Sequence, residues 1–169
     1  MLGAVVIVHD AKTGGPENVQ GAVAALRARC ERVLVVGGTE DVARSCDADY
    51  QSLPREAGEL VALIAALHEA EGDHVAILAA DLRHPSSELV RYMQHVRGSF
   101  DVVAPERRDG SLQPLAALYH PSLLRRAEGL LTAGERDLAP LLQLASVRRV
   151  TADEVAKFGE PEDLLERVG

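Results

Sequence analysis

The sequence predicts one soluble α/β domain over residues 1–169, a three-layer α/β/α arrangement with helices on both faces of a mostly parallel sheet. Three observations lead there. Short apolar runs rich in Val and Ile recur along the chain, and stretches with apolar residues at helical spacing separate them. Gly, Pro and Asp-Gly signals mark most of the changes between the two.

Residues 2–8 (LGAVVIV) read as a buried strand that ends at His9 and Asp10, before a Gly-Gly-Pro stretch. Val19, Val23, Leu26 and Cys30 share a helical stripe, and residues 33–36 follow as a second strand, completing a β-α-β unit with a right-handed crossover. Gly37 and Gly38 end that strand. Residues 41–54 show no sustained period and read as irregular, with one short strand near Tyr50. Leu60, Leu63, Ile64 and Leu67 form the next helical stripe, which begins after Gly58 and is stopped by Gly72. Residues 75–79 are the third central strand. Pro85 suits a first helical position, and Leu89, Met93 and Val96 carry that helix to Gly98. Residues 100–104 read as a fourth strand, Asp109-Gly110 as a turn, and residues 112–118 as a strand running back against the sheet. Helices over 121–131 and 138–144 are separated by Ala133-Gly134. A last short strand spans 147–150, and a closing helix spans 161–168.

Composition sets limits on function. With 47% hydrophobic and 26% charged residues the chain has an ordinary globular composition, and scarce aromatics leave a core of Leu, Val, Ile and Ala. A net charge of -8 argues against general binding to nucleic acid or an anionic membrane, which need a basic face. An anionic ligand needs a local positive site instead. Lysine occurs only at Lys12 and Lys157. Cys30 and Cys46 have neither CxxC spacing nor a neighbouring His, and read as reduced structural thiols. The amino terminus lacks the basic start of a secretion signal, and no apolar run reaches the ~18 residues of a membrane span. A cytoplasmic location is the expectation.

Ligands of open α/β sheets gather at the carboxyl ends of strands. That rule selects His9 and Asp10 after the first strand, Gly37 and Gly38 after the second, and Asp81 after the third. A carboxylate beyond the buried ILAA run suits a divalent metal held against substrate phosphates; the competing reading is a turn-forming Asp bonded to local backbone. The loop DAKTGGPEN offers a phosphate the Lys12 ammonium and backbone N–H groups near Gly14 and Gly15, although it matches neither GxxxxGK[ST] nor GxGxxG and also reads as a plain surface loop. His9 reads as a phosphate contact or as a solvated bystander. No HExxH, HxxxH or GxSxG occurs, so zinc protease and serine hydrolase chemistry have no support.

Several segments taken together resemble a known family. ILAADLRHPSSELV, DGSLQPLAALYHPSLLRRAEGLLTAGERDL and GEPEDLLERV occur in the order of the third-strand DxP segment, the QPLxALY stretch and the NTPEDL start of the molybdenum cofactor guanylyltransferase-like (MobA-like) nucleotidyltransferases. The resemblance implies a nucleotide-diphospho-sugar transferase-like fold. It implies transfer of GMP or CMP from GTP or CTP to molybdopterin with Mg2+, with release of pyrophosphate, and a protein partner in cofactor biosynthesis. By motif match Asp81 is the metal ligand and a catalytic residue, and Gly58, in AGELVALIAAL where the family has GPLAGI, lies near the nucleotide. Lys12 alone can replace the Lys of the family's glycine-rich LAGGxSxRMGxxK loop, with His9, Asp10, Gly14 and Gly15 lining the rebuilt binding site.

Departures from that pattern fall where catalysis is concentrated. VHDAKTGG is a shortened loop without the family's Arg, Arg83 replaces the DxP proline, and Gly159 stands where an Asn is expected before PEDL. Losing one preorganised donor to a transition state lowers turnover by about 10² to 10³. Two readings stay open beside an unrelated small-molecule binder: a nucleotidyltransferase of low activity, and a non-catalytic family member that binds a nucleotide, a pterin or a protein partner.

Overall fold

The computed structural model describes residues 3–8, 15–54, 57–69 and 73–168. Among the described residues seven strands form one sheet: β1 (Gly3–Ile7), β2 (Leu34–Val36), β3 (Asp49–Gln51), β4 (Val75–Ala79), β5 (Val102–Pro105), β6 (Ala116–Tyr119) and β7 (Val147–Val150), in the order β3-β2-β1-β4-β6-β5-β7. The three strands expected to be adjacent and parallel are so: β1 lies between β2 and β4 and is parallel to both. Every residue of β4 is buried, which is why VAILA is a continuous apolar run rather than an alternating one.

Register decides where the rim lies. Gly3 pairs with Val75 and Ile7 with Ala79, so β1 and β4 end at one level, and Ala80 N donates to Ile7 O at 2.8 Å. β6 is antiparallel to both β4 and β5, as the strand running back requires. The segment leading into it therefore arrives at the rim where β4 ends, and Ala79 N donates to Leu115 O at 2.8 Å. β7 returns parallel to β5.

Helices flank this sheet in two sets. α1 (Pro16–Arg27) touches α2 (Glu40–Ser45) and α4 (Ser87–Val96); α3 (Glu59–His68) touches α5 (Leu124–Thr132), which touches α6 (Ala139–Leu144). α7 (Ala152–Val155) and α8 (Pro161–Leu165) follow β7. The core between the layers is Val, Leu, Ile and Ala, with Tyr119 its largest fully buried side chain.

The structure corrects four expectations. Residues 41–54 are not wholly irregular: Thr39 Oγ1 accepts from Val42 N and starts α2, although only Ala43 of that helix is buried. Pro85 precedes the helix rather than opening it, because Ser86 is the cap and its hydroxyl accepts from Leu89 N at 3.2 Å. The returning strand begins at Ala116, with Leu112 only bridged to Glu106. The closing helix stops at Leu165, and Arg167 instead makes an antiparallel bridge to Leu82. Gly72 lies outside the described residues. Among the described residues no helix is long and apolar enough to cross a membrane.

Candidate active site

The ends of β1 and β2 are packed backbone on backbone. Gly37 has φ +89°, and a Cβ there would stand 2.4 Å from Val8 O; at Gly38, φ +70°, a Cβ would press on the Val8 side chain at 3.2 Å. Only glycine meets both conditions. The Tyr50 hydroxyl donates to Gly38 O at 3.1 Å and ties β3 to the same rim.

Asp81 stands two residues past β4 and is buried, 4% exposed. Its Oδ1 accepts from Arg167 Nε at 2.8 Å, and Arg167 Nη1 lies 3.8 Å from Glu59 Oε1. One guanidinium thus serves two carboxylates. Glu59 is the first residue of α3, directly after Gly58, so the segments of Asp81 and Gly58 are brought together through Arg167. The need for glycine at 58 has a packing cause: a Cβ would meet Arg136 O at 2.7 Å, the same carbonyl that accepts from Leu60 N at 3.0 Å.

Residues 165–168 form a strap across the rim. Val168 N donates to Asp81 O at 2.8 Å and Arg83 N to Glu166 O at 3.0 Å, bracketing Arg167, while the Arg83 and Glu166 side chains pair at 3.3 Å. A proline at 83, as in the family pattern, could not make the second bond. Gln113, 2% exposed, donates from Nε2 to Leu165 O at 2.8 Å and accepts from Leu115 N on Oε1 at 3.3 Å. At the start of α8, the Arg108 guanidinium donates to Glu160 and holds that carboxyl below its ordinary range. Gly159 has φ +149°, a backbone that the expected Asn would adopt only with strain.

Gly15 caps α1, accepts from Val19 N at 3.2 Å, and has open space where a Cβ would be. His9, Asp10, Lys12 and Gly14 lie outside the described residues. Among the described residues, no group of three or more His, Cys, Asp and Glu could by itself hold a metal ion. The sequence pointed to neither Arg167 nor Glu59, and to Gln113 only as part of the QPL stretch. Gln113 had a signal, the QPL motif; Arg167 had none.

Beside Glu59 an open groove of about 830 Å³ runs along Pro114, Asp137, Gln143 and Arg149. Another space of about 660 Å³, among Gly3, Arg32, Asp49 and Val75, lies at the opposite ends of the strands and takes no part in this rim.

The chain matches the MobA-like NTP transferase domain over residues 11–153. It is 34% identical over 154 residues to a probable molybdenum cofactor guanylyltransferase of Deinococcus radiodurans, covering 87% of this chain and 78% of that one. It is 32% identical over 133 residues to an undecaprenyl-phosphate 4-deoxy-4-formamido-L-arabinose transferase of Pseudomonas fluorescens, where it covers 71% of this chain but spans only 38% of the relative. Its fold is similar to that of molybdopterin-guanine dinucleotide biosynthesis protein A from Archaeoglobus fulgidus, with a TM-score of 0.72, 16% identity, and coverage of 99% and 92% of the two chains.

Proposed function

The chain belongs to the MobA-like NTP transferase domain family, and on that premise we propose that it is a molybdenum cofactor nucleotidyltransferase of low activity, moving GMP or CMP from a nucleoside triphosphate to molybdopterin. One observation carries the reading to this chain's own residues. Asp81 is buried at the level where β1 and β4 end, and α1 and α3 both start at that rim.

Nucleotidyltransferases of this family are generally divalent-metal dependent. Asp81 suits Mg2+, which is ordinarily bound by one or two carboxylates with substrate phosphates and water completing its shell. Bound there, the ion would offset charge developing on the transferring phosphate. The start of α1, after Gly15, turns the positive end of its helix dipole toward phosphate oxygens, and Lys12 adds the positive charge that the chain as a whole lacks. The glycine pair at 37 and 38 fixes the floor beside Val8. The groove beside Glu59 falls in the size range of small-molecule sites and is the candidate space for the acceptor. Cytoplasmic nucleotide pools would supply the triphosphate.

Incubation with GTP or CTP, Mg2+ and molybdopterin tests the reading. The expected result is pyrophosphate release well below the ~1 to 10³ s⁻¹ of typical enzymes, abolished by Asp81→Asn. The Asp81 pair with Arg167 favours a second reading, a non-catalytic nucleotide or pterin binder. Saturable nucleotide binding with no pyrophosphate release would select it.

A further inference from the structure

Arg167 is not a loose surface arginine. The two backbone bonds from Val168 N to Asp81 O and from Arg83 N to Glu166 O fix the residue from both sides. Leu165 O, just before it, takes bonds from Gln113 Nε2 at 2.8 Å and Arg107 Nη2 at 3.4 Å. The strap delivers the guanidinium to Asp81, whose side chain is 5% exposed. A guanidinium keeps its charge at any pH at which proteins stay folded, so the carboxylate has a permanent cation on one oxygen. A divalent ion approaching that carboxylate meets a like charge at close range, in surroundings that screen it less than water does.

We propose that Arg167 is a resident cation on Asp81 that competes with divalent metal, so that metal binds well only when an anionic nucleotide arrives with it. The proposal rests on reading Asp81 as the carboxylate that faces the metal. A triphosphate brings negative oxygens that attract both cations and remove the conflict between them. Glu59, 3.8 Å from Arg167 Nη1, gives the displaced guanidinium a second partner within the same strap geometry. Arg167 is thus a positioning residue that sets the order of binding.

Mn2+ titration followed by electron paramagnetic resonance, without nucleotide or acceptor, tests this. Arg167→Gln should bind Mn2+ at least tenfold more tightly than the parent protein, a change of about 1.4 kcal/mol. Arg167→Met, which keeps the apolar stem, should do the same and serves if the Gln variant fails to fold. Arg167→Lys, which keeps the charge, should stay within about threefold of the parent. Adding Asp81→Asn to Arg167→Gln should erase the gain. Unchanged affinity in both neutral variants, a gain that survives Asp81→Asn, or a Lys variant that matches the Gln variant would overturn the proposal. Mere loss of packing does not tighten metal binding through one named carboxylate. The outcome is separable from the reaction itself: a gain in Mn2+ affinity without pyrophosphate release would sink the transferase reading alone, and turnover with flat Mn2+ affinity would sink only this one.

Discussion

The two borders that meet at Asp81 are held by different means. On one side, β1 and β2 end with Gly37 and Gly38 at positive φ, Gly37 against the Val8 backbone and Gly38 against its side chain, and at Gly37 the fit is set by atoms that cannot rotate away. On the other side, the strap is held by separate hydrogen bonds and ion pairs, several from half-exposed arginines. Steric fits fail all at once, whereas a row of polar contacts can be loosened one bond at a time. The floor of the proposed nucleotide site is therefore rigid, and the charge balance at Asp81 is adjustable.

Substitution at Gly37 should have the largest effect. Gly37→Ala places a methyl 2.4 Å from Val8 O at φ +89°, and should cost about 3 kcal/mol or more, lowering Tm by roughly 6–12 °C in thermal melts. A loss below about 1 kcal/mol would mean that Val8 yields and that the two borders do not differ. Gln113→Leu comes next. It strips the Leu115 amide of its partner and leaves the Leu165 carbonyl only the 3.4 Å bond from Arg107, at about 2 kcal/mol, and should speed amide exchange at Val168 while leaving Ile77 protected. Equal acceleration in β4 would show the strap to be part of the core.

Glu154 supplies a control remote from both borders. It accepts from Arg148 at 2.7 Å, from the Tyr92 hydroxyl at 2.6 Å and from Thr151 N at 2.8 Å, and the Arg148 bonds above all pull its pKa from 4.5 to about 2. A folded-state value below the unfolded one contributes stability that is present above about pH 4.5 and lost as pH falls toward about 2. Glu154→Gln should cost about 1–2 kcal/mol at pH 7, discounted for partial exposure, and should flatten the acid limb of stability against pH. An unchanged acid limb would place the pair among ion pairs that contribute nothing measurable.

The parallel half of the sheet was legible because its signal is local. Five buried residues in succession, as in β4, can hardly be anything but a central element once glycine and helical stripes bound them. α2 was hidden because it buries only Ala43, leaving no stripe to read; its signals were a cap at Thr39 and acids at Glu40 and Asp41. Ser86 and Pro85 compete for one helix start, and the hydroxyl cap won. At the site, Asp81 followed from its place after a strand, but nothing within several residues of Arg167 announces a partner. LLERV reads equally well as helix, and only tertiary pairing with 81–83 makes it extended.

The strap also bears on the order in which the molecule assembles. Its Arg167 contact joins positions 86 residues apart, and closing a segment of that length costs roughly 4 kcal/mol of chain entropy, by the (3/2)RT ln n rule. The β1, β2 and β4 ladders do not include it, so they can form while the Asp81 carboxylate still has water for company. Docking of the strap then belongs to the late, downhill side of the folding barrier. Variants that weaken it should leave the refolding arm of a chevron plot almost unmoved and steepen the loss of native protein through faster unfolding, making Arg167 a determinant of how long the folded state lasts.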